Sequence, residues 1–176
     1  MRRNIVLARG LGADGVVIGI LAPNGTVDEA RTRTLVEAAD GLPVTFHRAF
    51  DFTPDPHQAL DTLISVGVQR VLSSGGASTA RDGIPTLAAL VRQAGDRLVV
   101  MAGGGVREEN VAAIVADAGV REVHVRLTRL TRGGGSALRS GIKVRKALPE
   151  DEAAWEETDE ARVRRFVRAV DAARAI

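Results

Sequence analysis

The residue types that can do chemistry are concentrated between Pro43 and Asp51. A short β-branched and aromatic run ends there in three ionisable groups, His47, Arg48 and Asp51. An imidazole near its neutral pH range suits proton transfer or ligand binding, and a guanidinium can hold a carboxylate or a phosphate. Asp51 is placed to orient His47 or to bind a metal ion. We therefore treat His47, Arg48 and Asp51 as candidate catalytic residues.

Each of these residues also has a purely structural interpretation. In that interpretation His47 is a hydrogen-bonded structural histidine, Arg48 forms a salt bridge with Asp51, and Asp51 caps a loop. His57 lies inside the next predicted helix, after Pro56, and is expected to be simply exposed.

Three further groups follow other apolar runs. Gly103, Gly104 and Gly105 precede a predicted helix, so their bare backbone N–H groups suit an anion. Ser73, Ser74 and Gly75 form a similar but weaker candidate for substrate binding. If the flanking valines pack outward, His124 faces the same side as His47 and joins the candidate catalytic set. The alternative for the glycines is a tight strand-to-helix turn.

These groups sit where predicted strands hand over to helices. The predicted strands are Gly15 to Leu21, which is expected to be buried on both faces, Val44 to His47, Arg70 to Ser73, Leu98 to Ala102 and Glu122 to Val125. Predicted helices cover Asn4 to Leu11, Asp28 to Ala39, Pro56 to Val66, Ile84 to Ala94, Glu108 to Ala118 and Thr158 to Ala175. This alternation predicts a parallel sheet with right-handed crossovers, whose carboxyl-terminal strand ends form the functional face.

The alternating pattern stops after the fifth strand. Arg126 to Lys146 holds seven basic residues, and Glu150 to Glu160 holds seven acidic ones. We predict one partial barrel domain over residues 1–176, with a long charged loop over residues 127–157. In the final helix, Val163, Phe166, Val167 and Val170 are expected on one buried face.

Composition excludes several classes of function. The chain has no cysteine, which removes disulfides, thiolate catalysis and thiolate metal sites. Its net charge is only +2 and its aromatic content 3%, so a nucleic-acid partner is not predicted. No apolar run approaches a membrane span, and a cytoplasmic location is the expectation.

Four motifs together resemble the CutC family. They are Gly12-Ala-Asp-Gly-Val-Val-Ile-Gly19, Val44-Thr-Phe-His-Arg-Ala-Phe-Asp51, Met101-Ala-Gly-Gly-Gly-Val106 with Asn110, and Gly119-Val-Arg-Glu-Val-His124. The resemblance implies a TIM-type (β/α)₈ barrel and a cytoplasmic protein associated with copper homeostasis and copper binding. The segment around His47 is the most distinctive of the four.

Two departures from the family accompany this resemblance. Only the last five of the eight strands are recognisable, and the three N-terminal strands are absent from the pattern. Arg126 also stands where the family commonly has a small serine. Open sheet edges predict aggregation or pairing with another chain, so a homo-oligomer is one expectation. A misplaced start codon and a degenerate gene are the others. We favour these two because Asn4 to Leu11 resembles the back half of a helix whose front half would lie before Met1.

Three functions stay open on these grounds. The resemblance implies copper homeostasis, although copper enters by resemblance alone, since Cu(I) prefers soft ligands and the chain has no cysteine. No metal ligands are therefore assigned. The alternative is a barrel enzyme on a small phosphorylated or carboxylated substrate, with His47 as acid or base and the three glycines binding the anion. The third is an inactive remnant.

Overall fold

The computed structural model describes residues 1–132 and 154–174. The elements, in chain order, are α1 (Arg2–Gly10), β1 (Val16–Ile18), α2 (Glu29–Ala39), β2 (Val44–Phe46), a 3₁₀ helix (Arg48–Phe52), α3 (Pro56–Ser65), β3 (Arg70–Ser73), α4 (Ile84–Ala94), β4 (Val99–Gly103), α5 (Val111–Ala118), β5 (Glu122–His124), β6 (Thr128–Arg132), β7 (Ala154–Thr158) and α6 (Glu160–Arg174).

Strands β1 to β5 form one parallel sheet in sequential order. Right-handed crossovers between neighbouring strands place every connecting helix on the same face, so the sheet curves as part of a barrel. Side chains on that face are buried, including Phe46, Val71 and Val100. The predicted α/β fold of five parallel strands with barrel-like curvature is confirmed.

Aspartate side chains cap the starts of two helices. Asp28 accepts a hydrogen bond from the Arg31 backbone N–H, and Asp55 accepts bonds from the N–H groups of His57 and Gln58. Pro56 occupies the first turn of α3, where its missing N–H removes no helical bond. These caps fix where α2 and α3 leave the strand ends.

The concave face of the sheet carries a polar layer. Arg70 at the start of β3 reaches across β4 to Glu122 of β5, with Nη2 2.8 Å from Oε1. The hydrogen bond that Arg70 donates to Glu122 raises the pKa of Arg70 above its usual range. Thr45 lies beside this pair, 3.5 Å from Arg70 Nη1. The ion pair therefore ties the strands together beneath the mouth of the curved sheet.

The first strand is shorter than predicted, and it is not buried on both faces. It covers Val16–Ile18, and Val17 on the concave face is 65% exposed whereas Ile18 is buried. In the described ranges, β1 and β5 each pair with a strand on one side only. No neighbouring strand covers Val17 there, which accounts for its exposure.

The predicted loop over residues 127–157 begins and ends in strands. Residues of β6 and β7 pair antiparallel, with Arg129 opposite Glu157 and Leu130 opposite Glu156. Arg129 Nε donates to Glu157 Oε1 at 2.8 Å, and Arg126 pairs with Glu156. Opposite charges facing each other across strands favour this ladder over an irregular loop. The remainder of the predicted loop lies outside the described residues.

The last helix is also placed differently from the prediction. Asp159, whose carboxylate accepts from the Arg162 N–H at 3.1 Å, caps its start, so the helix begins after Thr158. Phe166 is buried, but Val167 is 50% exposed and does not belong to the packed face. Arg162 bonds to both carboxylate oxygens of Glu108 at 3.2 Å and to the Thr128 carbonyl at 2.9 Å. These bonds join the helix to β6 and to the turn before α5.

Thr32 on α2 offers a test of the packing. Its side chain is fully buried, and its hydroxyl lacks a hydrogen-bond partner among the described residues. Because a buried unsatisfied hydroxyl is unfavourable, we expect Thr32→Val to raise the free energy of unfolding by about 1 kcal/mol. Urea unfolding measures the difference. Thr34→Val is the matched control: its exposed hydroxyl bonds to the Ala30 carbonyl, and we expect a change within about 0.5 kcal/mol. A loss of stability in Thr32→Val would contradict the packing described.

Candidate functional site

The carboxylate of Asp51 joins the ends of β2 and β3. Its side chain is 5% exposed. Oδ1 accepts hydrogen bonds from Ser73 Oγ at 2.6 Å, the Ser74 N–H at 3.0 Å and the Gly76 N–H at 3.2 Å. Oδ2 accepts from Arg48 Nε at 2.7 Å. The Asp51 carboxylate thus contacts Arg48 and the loop after β3. These contacts differ from the predicted role in which Asp51 orients His47.

The environment of Asp51 keeps it charged. Burial alone would raise the pKa of this carboxyl, but the donors from Ser73, Arg48, Ser74 and Gly76 together outweigh burial and hold the pKa below its usual value. The Asp51 carboxylate is therefore a fixed buried anion against which a cation can be oriented.

Arg48 is the cation oriented by that anion. Besides its bond to Asp51, its Nη2 donates to Ser74 Oγ at 2.7 Å. The Ser74 hydroxyl in turn lies 2.6 Å from the Ala77 carbonyl oxygen. The side chain of Arg48 is 41% exposed, in contrast to the buried Asp51. The salt bridge predicted as the structural alternative exists, and it leaves the Arg48 side chain partly accessible to solvent.

Gly104 gives the guanidinium of Arg48 its space. A Cβ built at this position would lie 3.1 Å from Arg48 Nη1 and 3.2 Å from Ser74 Cβ. Its φ of +103° is also one that other residues rarely adopt. Arg48, predicted as a catalytic residue, thus lies against one residue from each of the two predicted substrate-binding segments, Ser74 and Gly104.

The glycine run does not lead directly into a helix. Residues 108–110 form a turn, and α5 begins at Val111 rather than at Glu108. Asn110 closes this turn by donating to the Gly105 carbonyl at 2.9 Å and accepting from the Arg107 N–H at 2.8 Å. The expected helix start next to the glycines is therefore wrong, because a turn closed by Asn110 lies between them and α5. Anion binding by the glycine N–H groups themselves stays a prediction.

His47 ends β2 and begins the 3₁₀ helix. Its Nδ1 accepts a hydrogen bond from the Ala49 N–H at 3.0 Å. The ring lies against Gly19 at the end of β1, where a Cβ would come within 2.2 Å of the imidazole Cε1. Sequence reasoning missed Gly19 as part of the site, and the available signal was a glycine closing an otherwise apolar strand.

The other two histidines have different surroundings. His124 is exposed at the end of β5 and pairs with Gly103 in the sheet, so it stands at the same edge as His47. His57 is on α3 and contacts Gln93 of α4. His57 is exposed, as expected from the sequence.

The fold and the site define a class of protein. A curved parallel sheet with helices on its outer face carries a polar cluster at the carboxyl-terminal ends of its strands, where barrel proteins place their functional residues. The CutC family model matches residues 1–128. The chain belongs to the CutC family.

Individual relatives agree with this assignment. A CutC family protein of Caulobacter vibrioides is 52% identical over 124 residues, which cover 70% of this chain and 51% of the relative. One from Chromobacterium violaceum is 43% identical over 180 residues, covering 98% of this chain and 70% of the relative. The crystal structure of the putative copper homeostasis protein CutC from Streptococcus agalactiae is 35% identical, covers 70% of this chain and 60% of that one, and gives a TM-score of 0.67. The chain thus spans about half the length of the Caulobacter relative.

The donor atoms do not fit a dedicated copper site. The chain has no cysteine, and its two methionines are Met1 and Met101. Within residues 1–132 and 154–174, histidine, aspartate and glutamate side chains form no group of three that could hold a metal ion. Cu(I) prefers thiolate and thioether sulfur, which this site does not offer.

Within residues 1–132 and 154–174, the helices are too short or too polar to cross a membrane.

The state of Asp51 gives a pH-dependent prediction. Its folded-state pKa is below that of the unfolded chain, so its stabilising contribution is complete above the unfolded value and disappears as the pH falls through the folded value. We expect Asp51→Asn to lower the free energy of unfolding at pH 7 by about 2 kcal/mol, because the donors from Ser73, Ser74 and Gly76 lose a charged acceptor.

Urea unfolding at neutral pH and at about pH 3 tests this expectation. The difference between the wild-type chain and Asp51→Asn should shrink at the lower pH. Asp61→Asn on the exposed face of α3 is the control, expected within about 0.5 kcal/mol at both pH values. An Asp51→Asn deficit that does not change with pH would contradict the role of the ionised carboxylate.

Proposed function

We propose that this chain binds a small phosphorylated or carboxylated ligand at the carboxyl-terminal ends of β2, β3 and β4, and that it acts on this ligand as an enzyme. The observation that carries the proposal is the arrangement of Arg48 and Asp51. The carboxylate is buried and fully hydrogen-bonded, whereas the Arg48 side chain is 41% exposed and its guanidinium is held in one orientation by Asp51 and Ser74. An arginine held in this way is prepared for an oxyanion, because little side-chain freedom is lost on binding.

The remaining donors support the same chemistry. A guanidinium has five N–H groups, and the bonds to Asp51 and Ser74 use two of them. Gly104 brings bare backbone close to the guanidinium, since a side chain there would occupy the space beside Arg48. His47, which follows β2, places an imidazole at the same edge of the sheet, where it can contact the ligand. His124 of β5 provides a second imidazole, next to Gly103 of β4.

A second candidate is a cytoplasmic role in copper homeostasis. It is favoured by the family assignment and by the description of the Streptococcus agalactiae relative as a putative copper homeostasis protein. The exposed imidazoles of His47 and His124 are the ligands available for a borderline ion at this edge. The absence of cysteine makes the anion-binding function the better supported of the two.

Substitution of Arg48 tests the anion-binding function. We expect wild-type protein to bind inorganic phosphate or malonate in isothermal titration calorimetry, and Arg48→Gln to weaken this binding at least tenfold, because a charged hydrogen bond contributes about 1.5–3 kcal/mol. Gly104→Val should have the same effect, since its side chain would displace the guanidinium. Arg121→Gln is the control, because Arg121 precedes β5 at the other end of the sheet and pairs with Asp96. Equal binding by Arg48→Gln and wild type, or no binding of either anion by wild type, would refute the proposal.

Copper titration separates the second candidate from the first. If the chain binds Cu(I) through its imidazoles, the double substitution of His47 and His124 by Ala should abolish binding in competition with a chromogenic chelator, while Arg48→Gln should leave it unchanged. We expect wild type to lose this competition, because the site lacks sulfur ligands. If neither copper nor an anion binds, the inactive remnant is the remaining interpretation.

A further inference from the structure

We infer that the neutral imidazole of His47 carries its proton on Nε2, and that Gly19 is the residue that positions its ring. In this state His47 donates a hydrogen bond to an oxygen of the ligand and does not act as the base. The inference rests on the proposed function for the identity of the ligand, while the tautomer itself is a separate property of the chain.

The tautomer follows from the partner of Nδ1. This atom accepts a hydrogen bond from the Ala49 backbone N–H at 3.0 Å, so its lone pair is directed at a donor. A backbone amide nitrogen can only donate. A proton on Nδ1 would therefore place two N–H donors against each other, which is unfavourable. In a neutral imidazole one nitrogen donates and the other accepts, so the proton resides on Nε2.

The position of the imidazole ring depends on the contact with Gly19. A Cβ at this position would lie 2.2 Å from Cε1, 2.4 Å from Nδ1 and 2.7 Å from Nε2 of His47. These distances are too short for any side chain unless the imidazole moves. The backbone of Gly19 does not have a positive φ, in contrast to Gly104 and Gly105. Glycine at position 19 is therefore required for space and not for backbone conformation.

The chemical consequence is a change in the role of His47. A general base at Nε2 needs a lone pair there, which would place the proton on Nδ1 opposite the Ala49 N–H. A fixed Nε2–H instead stabilises negative charge on a ligand oxygen, as preorganised donors do in oxyanion sites. Together with the guanidinium of Arg48, this gives the site two directed donors and assigns the proton-accepting step, if the reaction has one, to another group.

The imidazole nitrogens can be observed directly. Long-range ¹H–¹⁵N correlation spectra of protein labelled in histidine distinguish the two tautomers, and the chain has three histidines, so the His47 signals are identified by their loss in His47→Gln. We expect the Nε2–H pattern for His47 in the wild type. In Gly19→Ala we expect a changed pattern, because the ring loses this position. Gly10→Ala is the control, since a Cβ there meets no other atom within 4 Å. An Nδ1–H tautomer in the wild type would overturn the inference.

Two amide substitutions test the donor role. Asn at position 47 can still accept from the Ala49 N–H, as an N-cap residue does, but it does not extend to the Nε2 position. Gln reaches the Nε2 position with an N–H donor but loses the cap. We expect His47→Gln to bind inorganic phosphate or malonate within about threefold of wild type, and His47→Asn to bind at least tenfold more weakly, the loss of one hydrogen bond to a charged group.

The outcomes separate this inference from the proposed function. Tight binding by His47→Asn with loss in His47→Gln would overturn the donor role while leaving anion binding intact. Absence of anion binding in wild type would refute the proposed function and, with it, the donor role; the tautomer measured by NMR would stand on its own. Unchanged anion binding and an unchanged His47 spectrum in Gly19→Ala would overturn the assignment of Gly19 as the positioning residue.

Discussion

The site depends on one buried carboxylate. Asp51 lies beyond the end of β2 and receives its donors from the end of β3 and from Arg48. Placing an ion in a poorly solvated position is costly unless donors replace the lost water, and here the serine hydroxyl, two backbone N–H groups and a guanidinium do so. The same bonds fix the β3 loop and the direction of Arg48. Without Asp51 the two strand ends would have no shared anchor, and the guanidinium would have no fixed orientation.

Space at the mouth of the sheet is set by glycines. Gly19 and Gly104 lie against the His47 ring and the Arg48 guanidinium, and neither position can carry a side chain in the observed arrangement. The two polar side chains therefore lie over backbone rather than over neighbouring side chains. The Arg70–Glu122 ion pair lies deeper on the concave face and ties β3 to β5 beneath them. The Arg70–Glu122 pair thus forms a lower polar layer, and the side chains of His47 and Arg48 form an upper one at the strand ends.

Much of the fold could be predicted from the sequence because local signals agreed with one another. Asp28, Asp55 and Pro56 marked helix starts, and alternating apolar runs and helices required a parallel sheet. The misplaced boundaries have physical causes that act over longer distances. Asn110 delays α5 by bonding to the Gly105 carbonyl, and the pairing of Arg129 with Glu157 turns the ends of a charged segment into strands. Such contacts join residues whose sequence separation hides them.

The candidate site was predictable in membership but not in arrangement. Residue types at strand ends identified Arg48, Asp51 and the serines, since the ends of parallel strands share one edge. Which role Asp51 would take was undetermined, because orienting His47, binding a metal ion and pairing with Arg48 were all acceptable in chemical terms. Its bonds to Ser73 and Ser74 come from the next strand end and had no local signal. The role of Gly19 was also hidden, since a glycine at a strand end is an ordinary turn residue until the His47 ring is seen against it.

The most direct test of an anion site built on Arg48 and Asp51 is a crystal structure of this chain grown with selenate, whose selenium can be located by anomalous scattering. We expect a selenium peak that marks a selenate ion within hydrogen-bond distance of the Arg48 guanidinium, with the Asp51 contacts unchanged. Selenate bound elsewhere, with the guanidinium of Arg48 turned away from the mouth of the sheet, would contradict it.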